Sequence, residues 1–198
     1  MKKKIAFVHN AMWEMYNFRG ELLQELKAKG YEITVICPPD EKNAHYFTDL
    51  GIKLLTVPMS RKGTNIKEDV QLVKNLFKVY KKEKFDLVFH YTIKPNIYGT
   101  LAAKLAGIKS IAITTGLGYV FLHNNITSLI AKFMYKFSLA FANEVWFLND
   151  DDMNIFLDKD LITERQAFKL PSEGINTKRF VPKEKNRKDS KTVFLMIA

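Results

Sequence analysis

Short apolar runs alternate along the chain with longer stretches in which apolar residues recur every three or four positions. A continuous apolar run of about four to eight residues is typical of a strand covered on both faces, and the longer spacing is typical of a helix. The predicted strands are KIAFVH, EITVIC, IKLLTVP, FDLVFHY, KSIAIT, EVWFL and AFKLP. This alternation predicts an α/β fold with a doubly wound, mostly parallel sheet.

Helices are predicted between these strands. Their ranges are Asn17–Lys29, Asn65–Lys84, Asn96–Ala106, Ser128–Ala142 and Asp151–Leu157. In the second of them an inward face is predicted for Ile66, Val70, Val73, Phe77 and Tyr80, and an outer basic stripe for Lys67, Lys74, Lys78 and Lys81.

The helix Ser128–Ala142 combines bulky apolar residues with Lys132 and Lys136. A helix of this kind can rest on an anionic membrane, or it can be a core helix whose lysines extend to water. The core interpretation is favoured because the apolar residues occupy many faces of the helix.

The composition narrows the class of protein. The 198 residues are 47% hydrophobic and 26% charged, which suits a globular domain with a core. The single cysteine, Cys37, excludes an intrachain disulfide. The start, MKKKIAFVHN, lacks the apolar region of a signal peptide, and no run is long enough to span a membrane, so a cytoplasmic protein is expected.

The chain is strongly basic. Its net charge is +10, which fits nucleic acid, an anionic membrane surface or phosphorylated small molecules as partners, and equally fits a basic solvated surface. A nucleic-acid-binding protein ranks low among these, since no motif for it is present.

Function in such a sheet is expected in the loops that follow the carboxyl ends of the strands. TTGLGYVF, HYTIKPNIYG and PSEGIN occupy such positions. Glycines after a strand let backbone N–H groups approach an anion or a sugar, although a tight turn without a ligand explains them equally well. Lys94 precedes a predicted helix, where a cation is favourable only beside an anion; a solvated lysine is the simpler interpretation.

Other chemistries are disfavoured. The histidines lack zinc-ligand spacing, and neither a Walker A loop nor a nucleophile elbow is present. Asp150, Asp151 and Asp152 begin a predicted helix, where they serve as its cap and dipole partners.

Five segments, in order, resemble the N-terminal domain of the glycosyltransferase family 4 enzymes, which have the two-domain GT-B fold with Rossmann-like halves. They are HNAMWEMYNFRGELLQELKAKGYEITVICP, TIKPNIYGTLAAKLAGI, TTGLGYVF, LPSEGINTKRFVP and VFLMIA. The resemblance is strongest to transferases that extend lipid-diphosphate-linked sugars in capsule, O-antigen or glycoprotein glycan assembly. It covers essentially the whole chain.

The resemblance implies residue roles in substrate binding; the catalytic residues stay unassigned. Asn17 and Arg19 are expected in the loop after the first strand, facing the donor diphosphate or the acceptor phosphates. Lys94 is expected in the acceptor pocket. Thr115, Gly116 and Gly118 are expected to contact the transferred sugar or the acceptor. The residues expected to border the cleft near the hinge are Glu173, Gly174 and Asn176.

Two departures from the family pattern change these expectations. Many members have a histidine where this chain has Thr115, so the usual contact of that histidine with the transferred sugar is not implied for this chain, and His90 and His9 are the two candidates to replace it. The first loop carries AMWEMYNFR instead of a glycine pair, which weakens the case for phosphate binding by backbone amides there.

The implied activity is retaining transfer of a sugar from a nucleotide donor, expected to be a UDP-sugar, to a lipid-diphosphate-linked sugar, with no cofactor and no obligatory metal. Residues 1–182 are expected to form the acceptor-side domain, and residues 183–198 a linker and the first strand of a donor-binding domain. The chain alone is then expected to be inactive. Peripheral contact with the inner face of the plasma membrane is expected, through the basic stripe or through Lys132 and Lys136.

The alternative is a self-contained nucleotide- or sugar-binding module without transferase activity. It predicts a chain that ends after a capping helix, whereas VFLMIA has the pattern of a core strand.

Overall fold

The computed structural model describes residues 2–60, 65–117, 121, 126–171, 173–182, 194 and 196. Its centre is a sheet of seven strands, all parallel, in the order β3-β2-β1-β4-β5-β6-β7. The strands are β1 (Lys4–Val8), β2 (Glu32–Cys37), β3 (Lys53–Thr56), β4 (Leu87–Tyr91), β5 (Lys109–Thr114), β6 (Glu144–Phe147) and β7 (Ala167–Lys169). The predicted fold class is confirmed.

The helices connect successive strands. They are α1 (Met12–Ala28), α2 (His45–Asp49), α3 (Ile66–Glu83), α4 (Thr100–Ala106), α5 (Ile126–Leu139) and α6 (Asp150–Asp158), with a π-helical turn, Pro95–Gly99, leading into α4. The short helix α2 was not among the predicted elements.

Both faces of the sheet are covered, as the alternation along β1 shows. Ile5 and Phe7 pack on one side with residues of α1, whereas Ala6 and Val8 pack on the other side with residues of α3. A third cluster, on the same side as α3, joins β5 and β6 to α5 and α6. A parallel sheet needs both layers because each of its strands is apolar on both faces.

Helix α1 begins at Met12 rather than at the predicted Asn17. Met12, Met15 and Leu23 are fully buried on one face, and burying that face extends the helix toward β1. Asn17 and Arg19 therefore lie on a helix, and the prediction that they lie in a loop is wrong.

Helix α3 is rotated relative to the prediction. Leu72, Leu76 and Tyr80 form its buried face, whereas Ile66 and Val70 are exposed. The predicted outer lysines are exposed, so the basic stripe is present. The N-cap of the helix is Asn65, whose side chain accepts hydrogen bonds from the backbone N–H groups of Lys67 and Glu68.

Helix α5 is a core helix on one face only. Tyr135 and Leu139 are buried against the sheet, but Ile130, Phe133 and Phe137 are exposed. The favoured interpretation as a core helix therefore holds for the inner face, whereas the outer face is exposed and apolar.

The predicted strand Val193–Ala198 falls outside the described residues except at Phe194 and Met196, so its assignment stays a prediction. Among the described residues, no helix has the length and apolar character needed to cross a membrane.

Candidate functional site

The carboxyl ends of the parallel strands meet at one edge of the sheet, and a buried arginine lies beside that edge. Arg19, in the second turn of α1, shares the inward face of the helix with Met12, Met15 and Leu23. Only 6% of Arg19 is exposed. A buried guanidinium stays charged and therefore requires partners.

Arg19 has two partners from other parts of the fold. Its guanidinium forms an ion pair with Glu173, which follows β7, and lies over the ring of Tyr91, the last residue of β4, with 4.7 Å between the guanidinium carbon and the ring centroid. Nε of Arg19 is buried and has no hydrogen-bond partner among the described residues. Arg19 therefore retains an unused donor at the edge where ligands bind in this class of sheet.

Burial dominates the ionisation of the two neighbours of Arg19. It raises the pKa of Tyr91 to about 12, although Arg19 opposes the shift, so the phenol stays neutral. Burial also raises the pKa of Glu173, and again the nearby Arg19 opposes the shift.

A groove of about 670 Å³ lies between α1 and the segment 173–180. The two walls are joined by hydrogen bonds: the Asn176 amide donates to Glu21, and Arg179 donates to Asn17 at 3.3 Å. Asn176 also accepts from the backbone N–H groups of Lys178 and Arg179, which fixes the turn of the segment. The groove thus has charged and amide groups on both walls.

His9 lies next to this cluster. It follows β1, is 5% exposed, and its ring centroid is 6.0 Å from that of Tyr91. Nδ1 accepts from the backbone N–H of Ala11 at 3.0 Å, so in the neutral ring Nε2 carries the proton and faces Glu14, whose carboxylate is 3.8 Å away. Of the two histidines considered as replacements at the Thr115 position, His9 is the one near the groove.

His90 does not line the groove. Its side chain is fully buried below the π-helical turn, with Nε2 2.9 Å from the Tyr80 hydroxyl and Nδ1 3.4 Å from the Thr100 hydroxyl. Burial lowers the pKa of His90 to about 3, so the ring is neutral. A Cβ at Gly99 would lie 2.5 Å from its ring, which explains a glycine there. The turn covers His90, so the structure does not bring it to the groove, and its role in substrate binding stays a prediction.

Lys94 is also engaged inside the protein. Its ammonium donates to Asp69 at 2.7 Å and to Ser60 at 2.8 Å, and the other oxygen of Asp69 accepts from the Tyr98 hydroxyl at 2.8 Å. The lysine is 8% exposed. The position of Lys94 before a helix predicted an anionic partner, and that partner is Asp69 of α3. Because Lys94 is engaged inside the protein, the structure does not bring it to the groove, where the acceptor pocket was expected.

The remaining predicted residues divide between two loops. Thr115 and Gly116 are exposed beyond the end of β5, and Gly116 has a φ of 147°, outside the range that other residues favour. Gly118 lies outside the described residues. Gly174 has a φ of 74° and turns the chain into the groove wall.

The structure thus brings together Asn17, Arg19, Glu173, Gly174 and Asn176, and it separates them from His90 and Lys94. Sequence reasoning missed Tyr91 and Asp69. The spacing of Asp69 with Leu72 and Leu76 could have placed a carboxylate on the buried face of α3. In the part of the chain that the structure describes, no group of three or more His, Cys, Asp or Glu residues is placed to hold a metal ion.

Comparison with known families places this geometry in context. The family model described as glycosyl transferase 4-like matches residues 4–149. The chain belongs to this family. The match includes α1, the end of β4 and the loop after β5, but not the segment that carries Glu173.

Two relatives extend the family assignment. The chain is 31% identical to the N,N'-diacetylbacillosaminyl-diphospho-undecaprenol alpha-1,3-N-acetylgalactosaminyltransferase of Campylobacter jejuni, over 98% of this chain and 56% of that protein. It is 25% identical to the UDP-Gal:alpha-D-GlcNAc-diphosphoundecaprenol alpha-1,3-galactosyltransferase of Escherichia coli, over 77% of this chain and 39% of that protein. The chain therefore spans about half the length of these relatives or less.

Solved structures show the same fold. A glycosyltransferase from Rickettsia africae superposes with a TM-score of 0.62 at 19% identity, covering 90% of this chain and 45% of that one. A UDP-GlcNAc 2-epimerase from Neisseria meningitidis gives a TM-score of 0.64 at 15% identity, covering 86% and 47%. The glycosyl transferase 4-like chain thus shares its fold with a little less than half of each of these two chains.

Proposed function

We propose that this glycosyl transferase 4-like chain is the acceptor-side domain of a retaining glycosyltransferase. The parent enzyme transfers a sugar from a UDP-sugar to a lipid-diphosphate-linked sugar during assembly of a surface polysaccharide or glycan. Both relatives are named for undecaprenol-diphosphate-linked sugars, which supports this class of acceptor. The donor, the retaining outcome and the absence of an obligatory metal follow from the resemblance.

The observation that carries the proposal is the buried Arg19 beside the carboxyl edge of the sheet. A guanidinium is planar and binds phosphate oxygens in a bidentate manner, and its charge does not depend on pH in the physiological range. Arg19 is held by Tyr91 and Glu173 and still has a free Nε–H among the described atoms. It is therefore pre-oriented to bind an anionic diphosphate.

Glu173 has two roles in the proposed site, one without ligand and one with ligand bound. In the absence of ligand it neutralises Arg19. A diphosphate that binds Arg19 competes with Glu173 for the guanidinium, and the displaced carboxylate can then accept hydrogen bonds from sugar hydroxyl groups. Asn17 and Asn176, on opposite walls, offer amide groups to the same ligand.

The domain assignment is part of the same proposal. Residues 1–182 form the acceptor-side domain, and residues 183–198 form a linker and the first strand of a donor-binding domain, as the resemblance implies. Transfer then requires both domains, because the donor is held by the second one. Contact of the acceptor-side domain with the membrane surface is expected, since the lipid-linked acceptor lies there.

The test is calorimetric titration of the chain with a short-chain, water-soluble lipid-diphosphate sugar. The variant Arg19→Gln should bind it about 10- to 100-fold more weakly, because charge-assisted hydrogen bonds contribute roughly 1.5–3 kcal/mol. The matched control is Arg165→Gln, which removes an exposed arginine outside the groove. It should bind the acceptor as the unmodified chain does.

Equal affinity of Arg19→Gln and Arg165→Gln for the acceptor would contradict the proposed role of Arg19. Circular dichroism of both variants, recorded before titration, separates a lost contact from a lost fold.

A further inference from the structure

The outer face of α5 is an apolar strip. Ile126, Leu129, Ile130, Phe133 and Phe137 recur at three- and four-residue spacing and lie on one side of the helix. Their exposed fractions run from 51% at Phe137 to 76% at Ile126. The opposite side is fixed in the core by Tyr135, Ser138 and Leu139, so the helix cannot rotate to bury the strip.

The charged side chains of α4 and α5 all have the same sign. Helices α4 and α5 contain no Asp or Glu, and their charged side chains are Lys104, Lys132 and Lys136. Lys104 lies over the ring of Phe141, with its ammonium 5.5 Å from the ring centroid, which continues the basic and aromatic surface beyond the end of α5. Leu105 of α4 is also exposed.

This combination differs from the surface of α3. There the large exposed apolar residues are Ile66 and Val70, which lie on either side of Glu68, and the lysines that follow have no further large exposed apolar residues beside them. A charged helix face with few apolar residues is typical of contact with water. An apolar aromatic strip with only cationic neighbours is suited to an anionic lipid surface, where rings enter the acyl boundary and lysines meet the headgroups.

We propose that α5, with Lys104 and Phe141, is the surface by which the protein docks on anionic bilayers. The helix lies in the plane of the membrane, with Phe133 and Phe137 inserted and Lys104 and Lys136 at the headgroups. The partner is the bilayer itself rather than a second copy of the chain. In a symmetric dimer formed through this face, the lysines of the two copies would lie close together and repel each other. This inference rests on the proposed function only in naming the membrane as the place of the acceptor.

The experiment is co-sedimentation of the chain with vesicles of phosphatidylcholine mixed with phosphatidylglycerol, and with vesicles of phosphatidylcholine alone. The double variant Phe133→Ser/Phe137→Ser should lower partitioning into the mixed vesicles by roughly 10- to 100-fold, since two rings lose their apolar environment. Both side chains are exposed, so the fold should be retained.

A second variant separates charge from insertion. Lys104→Gln/Lys136→Gln should lower binding to the mixed vesicles by about 25-fold, which is about fivefold for each lysine near an anionic surface. It should change binding to phosphatidylcholine alone much less. The matched controls are on α3: Ile66→Ser/Val70→Ser for apolar exposure and Lys74→Gln/Lys78→Gln for charge. Both should bind vesicles as the unmodified chain does.

Loss of binding in the α3 controls, with the α5 variants unaffected, would overturn the proposal in favour of the basic stripe. A dimer that Phe133→Ser/Phe137→Ser converts to a monomer, with no change in vesicle binding, would also overturn it and identify a self-association surface.

Titration with the water-soluble acceptor keeps this inference distinct from the proposed function. The α5 variants should bind that acceptor normally. If the unmodified chain binds the acceptor but not the mixed vesicles, the docking surface is refuted and the proposed function is not. If the chain binds vesicles through α5 but does not bind the acceptor, the proposed function is refuted and the docking surface is not.

Discussion

His90 illustrates how a polar residue at the end of a strand can serve the fold instead of a ligand. Its ring lies below the π-helical turn, and the hydroxyl groups of Tyr80 and Thr100 lie within 3.4 Å of its two nitrogens. Burial stabilises the neutral form and lowers its pKa to about 3. An unfolded chain carries this histidine at its ordinary pKa of 6.5.

The shifted pKa of His90 predicts acid sensitivity. Between pH 6.5 and about 3 the unfolded state binds a proton that the folded state does not, so acid favours unfolding. The contribution of His90 is fully present above pH 6.5, and it falls by up to about 1.4 kcal/mol for each pH unit below that. Urea unfolding of His90→Gln should therefore show a shallower loss of stability on acidification.

The control for this prediction is His45→Gln, which removes an exposed histidine. It should retain the pH dependence of the unmodified chain. If His90→Gln retains it as well, the neutral buried histidine is not its source.

At the scale of elements, the buried pair Lys94–Asp69 joins the π-helical turn to α3. Each side chain is 10% exposed, and Ser60 and Tyr98 complete the network. Removing one partner of a buried pair leaves the other charge without compensation, which typically costs about 3–5 kcal/mol. Lys94→Met and Asp69→Asn should each lower the free energy of unfolding by about this amount.

The control for the buried pair is Lys169–Asp150, in which both side chains are about half exposed. Lys169→Met should cost only about 0–1 kcal/mol, because water screens such pairs. The double variant Lys94→Met/Asp69→Asn should be more stable than the sum of the single losses implies. Strict additivity in denaturant unfolding would show that the two residues do not interact in solution.

Elements with a strong hydrophobic pattern could be predicted from the sequence, and those without one could not. All seven strands were located because each contains short apolar stretches between helical segments of different periodicity. The start of α1 was missed because Ala11, at its N-cap, makes no side-chain capping hydrogen bond. Helix α2 was missed because His45–Asp49 is only five residues long.

At the scale of the whole molecule, the groove could be predicted only in part. The loops after the strands indicated Arg19 and Glu173 separately, but their pairing depends on how α1 packs against the chain after β7. The network of Lys94 joins residues 25 positions apart, and no local pattern reports such a contact. The exposure of the apolar strip on α5 could not be predicted either, since periodicity shows the apolar faces of a helix but not which face the sheet covers.

We propose that this glycosyl transferase 4-like chain binds the acceptor and not the nucleotide. Calorimetric titration of the unmodified chain with UDP and, separately, with the short-chain lipid-diphosphate sugar tests this proposal. We expect measurable binding of the acceptor and no detectable binding of UDP. Tight binding of UDP by this chain alone, without the acceptor, would contradict it and indicate a self-contained nucleotide-binding module.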